Sequence, residues 1–160
     1  MKFDFPQVDL PCEILAWNDV TEDILNIYKQ SCRLKAGIFA ICTEGKMTAT
    51  INLIDYEIKP NDLITLLPGT IIQFRERTEK VRLCFAGFSS ECVERINLIK
   101  SMVSSFSKIT ECPIVELQED IASYLIDYFS LLARVTCDEK LSLPSEMTEV
   151  SLRSILTLSD

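Results

Sequence analysis

Seven cysteines and no histidine set the limits of the chemistry available to this chain. The thiols are Cys12, Cys32, Cys42, Cys84, Cys92, Cys112 and Cys137, an odd number with no pair at C-x-x-C spacing. Cys42 and Cys84 sit inside apolar runs. A secreted disulfide framework has a different pattern, so free buried thiols in a reducing compartment are the simpler reading. With neither imidazole nor close thiol pairs, zinc and iron centres of the usual kind are nearly excluded, and the commonest general base is missing. No metal, no cofactor and no catalytic residue is therefore expected. Cys92 follows Ser89-Ser90, where a helix is expected to start, and is the thiol best placed for activation. The carboxylates Asp55, Glu57 and Asp62 lie close in sequence, but nothing pairs them as acid and base, and turn acids are usually solvated.

The remaining polar and aromatic candidates are binding groups. Gln73 and Arg82, on late strands, could reach a polar ligand, or could belong to solvated strand faces. Arg75, Glu76, Arg77 and Glu79 form a charge mixture typical of a surface turn. Trp17 and Phe39 could be pocket aromatics, although aromatics at strand positions are more often plain core. The candidate ligand pocket is therefore Trp17, Phe39, Gln73 and Arg82.

These groups need strands to carry them. Residues up to about Phe88 read as short strands separated by turns, the pattern of a barrel or sandwich. Glu13 to Trp17 reads as a first strand. Ala36 to Thr43 is a nearly continuous apolar run, as for a strand buried on both faces. Glu44-Gly45-Lys46 turns the chain into Met47 to Leu53, where Met47, Ala49, Ile51 and Leu53 alternate with Thr48, Thr50 and Asn52. The apolar set is expected to point inward. Tyr56 to Lys59, Leu63 to Leu67, Thr70 to Arg75 and Lys80 to Phe88 follow, with turns at Pro60-Asn61-Asp62 and Pro68-Gly69.

From about Ser90 the pattern becomes helical. Cys92, Ile96, Ile99, Val103 and Phe106 are spaced 4, 3, 4, 3, and Ile121, Leu125, Tyr128, Leu132 and Val135 repeat that spacing. Each is an apolar stripe on one helix face, fit for a dimer seam or for packing on the barrel. Pro113 separates the two helices, acids open the second, and a third is expected after Ser145. The division expected is a barrel over residues 1–89 and a helical dimerisation segment over 90–160, leading into a linker and forming one structural unit with the barrel.

Composition agrees with a packed intracellular domain. Of the 160 residues, 48% are hydrophobic and 25% charged, so a core can form. The net charge of −8 repels phosphate backbones and anionic lipid, which argues against direct nucleic-acid or membrane contact. The first residues, MKFDFPQVDL, lack a continuous apolar core for a signal peptide, and no run is long enough to cross a bilayer; a cytoplasmic location is expected. Four glycines leave no phosphate-binding loop.

The stretch Gly37 to Phe74, with Glu44-Gly45-Lys46, Pro60-Asn61-Asp62 and Leu67-Pro68-Gly69-Thr70 in that order, resembles a cupin-type barrel. It is most similar to the N-terminal ligand-binding domain of AraC-family transcription regulators. The exit Ala86-Gly87-Phe88-Ser89 into a helix resembles how those domains leave the barrel. Metal-binding cupins carry histidines beside these turns, whereas this chain has Gln73 near one such place. The resemblance implies a mainly β fold, a double-stranded β-helix or jelly roll followed by C-terminal helices. It implies a homodimer through Ile121, Leu125, Tyr128, Leu132 and Val135, and an unidentified small-molecule effector. It also implies control of DNA binding by a helix-turn-helix half for which this chain has no room, its end at Asp160 looking cut rather than finished. A metal-free cupin-like isomerase or lyase, and a purely structural dimerisation module with a filled barrel, are the alternatives.

Overall fold

The computed structural model describes residues 7–8, 14–20, 30–77, 80–91 and 112–137, and the side chains of these except 8, 14–20, 76–77 and 135–137. The expected helix through Cys92 to Phe106 and the one after Ser145 lie outside the described residues.

The strands are β1 (Gln7–Val8), β2 (Ile14–Val20), β3 (Cys32–Leu34), β4 (Gly37–Glu44), β5 (Met47–Ile51), β6 (Ile54–Ile58), β7 (Asp62–Leu66), β8 (Ile71–Arg77), β9 (Arg82–Phe88) and β10 (Ile114–Glu116), followed by α1 (Glu119–Cys137). One sheet runs β1-β3-β8-β5-β6 and the other β10-β7-β4-β9-β2. Every pairing is antiparallel except the two-residue contact of β1 with β3. The nesting identifies the architecture. β2 pairs with β9, β3 with β8, β4 with β7 and β5 with β6, so β2 to β9 form one long ribbon. Rolling that ribbon brings β4 beside β9 and β5 beside β8. This is the jelly-roll order of the cupin-like double-stranded β-helix. The fold is mainly β with a C-terminal helix.

Alternation along each strand decides what fills the space between the sheets. Met47, Ala49 and Ile51 of β5, Cys32 and Leu34 of β3 and Ile72 of β8 meet Ile38, Ala40 and Cys42 of β4 and Ile64 and Leu66 of β7 in one buried cluster. On β5 the intervening Thr48 and Thr50 stay half-exposed, as expected for a sheet with one wet face. β4 differs because both its faces are covered. Phe39 and Ile41 point away from the barrel interior and pack, with Leu63, Cys84 and Phe88, under Leu125, Phe129 and Leu132 of α1. That explains the unbroken apolar run from Gly37 to Cys42.

α1 starts where Ala122 N–H donates to Gln118 O at 2.9 Å, with Glu119 and Asp120 in its first turn and Arg134 in its last, each complementing the helix dipole. The strand before it, β10, is absent from the sequence reading. It returns the chain to the second sheet by pairing Ile114, Val115 and Glu116 with Ile64, Leu63 and Asp62. At one edge of the first sheet β6 has β5 as its strand neighbour among the described residues, and Asp55 and Glu57 are exposed along it.

The β5–β6 hairpin turns earlier than the alternation implies. Leu53, expected to end the strand, sits in the turn at φ 70° beside Asn52 at φ 50°. Two consecutive left-handed residues make this a type I′ hairpin turn, whose favoured second residue is glycine. A leucine there is strained and, at 76% exposed, buries little in return. Leu53→Gly is expected to stabilise the fold by about 0.5–1 kcal/mol, net of the glycine's larger unfolded-state entropy. Urea unfolding checks this, and an unchanged or lower midpoint would contradict it.

Candidate functional site

A cavity of about 240 Å³ opens where the β6 edge of one sheet comes beside the β7/β10 edge of the other. Its lining combines the β5–β6 turn (Ile51, Asn52, Ile54), Tyr56 of β6, Thr65 of β7, the turn Leu67-Pro68-Gly69-Thr70 and Pro113. Three of these segments are pinned. Asn52 N–H donates to Ile71 O at 2.8 Å, and Asn52 Oδ1 accepts from Ile71 N–H at 3.0 Å, tying the hairpin tip to β8. Gly69, at φ 92°, donates its N–H to Leu34 O at 2.7 Å, a geometry that glycine adopts without steric cost. Pro113 O accepts from Thr65 N–H at 2.8 Å, which holds the start of β10 against the cavity. The buried inter-sheet cluster lies between the two sheets.

The four residues named as pocket candidates sit on four different strands. Phe39 lies on the helix side of its sheet, edge-to-face with Phe88 at a centroid distance of 6.1 Å. Gln73 is opposite Thr50 on the outer face of the first sheet and accepts from Ser31 Oγ at 3.2 Å. Arg82 is exposed, its Nε 3.5 Å from Glu44 Oε2. Trp17 stands on β2 opposite Phe85. Phe39, Gln73 and Arg82 do not line the cavity. Of the helix stripe, Leu125 and Leu132 are buried in the chain's own core, while Ile121 and Tyr128 pack at its margin. Val135 belongs to α1, with its side chain outside those described. The more exposed apolar groups of α1 are Tyr124 (65%) and Leu131 (51%).

A second polar node joins the barrel to the helix. Asp62, 2% exposed, accepts from Lys59 N–H at 2.9 Å, and Lys59 Nζ lies 3.3 Å from its Oδ1. The Asp62 carboxylate is the main reason the Lys59 ammonium is held above its usual pKa. Lys59 Nζ also reaches Glu116 Oε2 at 3.4 Å. Asn61, left-handed at φ 74°, donates to Cys42 O and accepts from Leu117 N–H at 3.0 Å, two residues before α1. The expected turn at Pro60-Asn61-Asp62 thus also anchors the approach to the helix.

The buried thiols Cys32, Cys42 and Cys84 are poor nucleophiles. Burial pushes Cys42 up to about 11 and Cys84 to about 12, and raises Cys32 as well. Reactivity follows the thiolate, which these groups do not form near neutral pH. Cys112 is exposed. At pH 8 iodoacetamide is expected to label Cys112 while Cys32, Cys42 and Cys84 stay unmodified until the chain unfolds, as site-resolved mass spectrometry would read. A raised thiol pKa stabilises the fold fully below the unfolded value of 9.0, and that contribution is lost as pH climbs toward 11 to 12. No group of three or more His, Cys, Asp or Glu able to hold a metal exists among the described residues. No helix among them is long and apolar enough to cross a membrane.

Fold and cavity together define a cupin-like jelly roll with a helix on its outer sheet and a small hollow at its open seam. No protein-family profile and no curated protein matches the chain. Solved structures of ToxT from Vibrio cholerae do match. One covers 79% of this chain and 48% of ToxT at 9% identity and TM-score 0.44. ToxT bound to (E)-4-(8-methylnaphthalen-1-yl)but-3-enoic acid covers 91% and 55% at 10% identity and TM-score 0.45. An apo ToxT variant covers 92% and 51% at 12% identity and TM-score 0.46. The chain thus spans about half the length of ToxT.

Proposed function

We propose that this chain is the small-molecule-sensing and dimerisation domain of a cytoplasmic transcription regulator, acting without a catalytic step on a separate helix-turn-helix domain. The observation that carries the reading is the short path from cavity to helix. Pro113 is at once a cavity wall and the residue before β10, and β10 leads through Leu117 into α1. A ligand that favours one seating of Pro113 biases β10 and, through it, the helix.

Homodimerisation is assigned to the outer face of α1. Ile121, Tyr124, Tyr128 and Leu131, spaced 3, 4, 3, form an apolar stripe beside the one buried on the sheet. Antiparallel pairing of two such helices puts Tyr124 against Leu131 of the second copy. It also brings Arg134 near the second copy's Asp120, whereas parallel pairing would set the acidic first turns together. Light scattering is expected to show a dimer at micromolar concentration and a monomer for Tyr124→Glu with Leu131→Glu. A wild-type monomer at high micromolar concentration would defeat the reading.

The large buried cluster between the sheets supports a second reading, a purely structural dimerisation module. The two separate on ligand response: sensing requires a metabolite that raises the melting temperature, and a structural module shows none.

A further inference from the structure

Resting on that reading of the seam cavity as the effector site, we infer that its ligand is a small uncharged molecule, an apolar ring or short chain carrying hydroxyl or amide groups. The lining is the argument. Ile51, Ile54, Leu67, Pro68 and Pro113 supply apolar surface, and Asn52, Tyr56, Thr65 and Thr70 supply neutral polar groups. No lining residue carries a charge. A carboxylate or ammonium entering here would leave water with no counter-ion to receive it, whereas a hydroxyl or amide exchanges water for protein hydrogen-bond partners.

The surroundings point the same way. Arg33 comes close to the site, but its Nη1 donates to Gly69 O at 3.1 Å, and Arg33 is not part of the lining. The chain's net charge of −8 further disfavours an anion. The cavity, open on one side and of about 240 Å³, has room for a single ring with one substituent. Ile54, 57% exposed, forms part of the rim, so the ligand would also cover an isoleucine that otherwise faces water.

The test uses three probes of one shape and different charge: benzyl alcohol, benzoate and benzylammonium. Each is titrated into the ¹⁵N-labelled chain, with amide shifts followed at Ile51, Tyr56, Thr65 and Gly69. Benzyl alcohol is expected to shift these resonances with at least tenfold tighter binding than either ion. The shifts should be lost in Ile54→Trp, a rim substitution at an exposed position that narrows the cavity and leaves the circular dichroism unchanged. Arg33→Gln should leave benzyl alcohol binding unchanged. Equal or tighter binding of benzoate or benzylammonium at the same amides would overturn the ligand class while leaving the sensing reading intact. If no probe moves these amides, both the class and the cavity's role as effector site fail.

Discussion

Phe129→Ala is expected to lower the stability of the chain by about 3–5 kcal/mol, the range for removing a large aromatic from a packed core. Phe129 is fully buried, and its cluster joins the outer face of the β4-β9 sheet to α1 through Phe39, Ile41, Leu63, Phe88, Leu125 and Leu132. The loss is expected to show as a fall of roughly 10 °C in melting temperature. Hydrogen exchange should localise the damage, with α1 amides losing protection before those of β5, because the inter-sheet cluster does not include Phe129. A uniform loss across both clusters would show that helix and barrel are one cooperative unit. A loss below 1 kcal/mol would show that the helix contributes little.

Asp62→Ala is expected to cost about 2 kcal/mol, through the lost charge-assisted bonds from Lys59 to a buried carboxylate and a part-buried backbone N–H left short of an acceptor. Asp62→Asn keeps a carbonyl oxygen for Lys59 N–H and should retain more than half of that stability. The alanine variant should also speed exchange at Leu117, whose amide hangs on the Asn61 carbonyl one residue away. A melting temperature within a degree of wild type would show that the ion pair, exposed at its Lys59 end, contributes nothing.

The barrel was legible where each strand obeys one simple rule. β5 alternates because one side is dry and the other wet, and β4 is apolar from Gly37 to Cys42 because α1 covers its second side. The turns at Gly45, Asn61 and Gly69 were legible too, and all three residues take positive φ. Strands of three residues were not: β3 and β10 are too short to establish a period and exist because a neighbouring strand offers a register.

The helix was legible, but its orientation was not. Apolar residues at 121, 122, 124, 125, 126, 128, 129, 131, 132 and 133 cover more than half its circumference, so several stripes satisfy the same spacing. Only the sheet beneath selects Leu125, Phe129 and Leu132 for burial. Leu53 was read as strand because the alternation runs on past the point where the chain reverses. The cavity left no pattern, since two turns, a strand edge and Pro113 meet there from distant parts of the chain. For the same reason Phe39, Gln73 and Arg82 could be assigned to strands but not to a common site.

The acids on β6 bear on how copies of this chain meet. A bare rim of backbone donors and acceptors is a template for another strand, and a flat apolar one seeds cross-β stacking. Asp55 and Glu57 would face the same acids of any copy aligned there in parallel register, a repulsion that grows with each chain added. Lateral pairing of copies in that register is thereby disfavoured along β6.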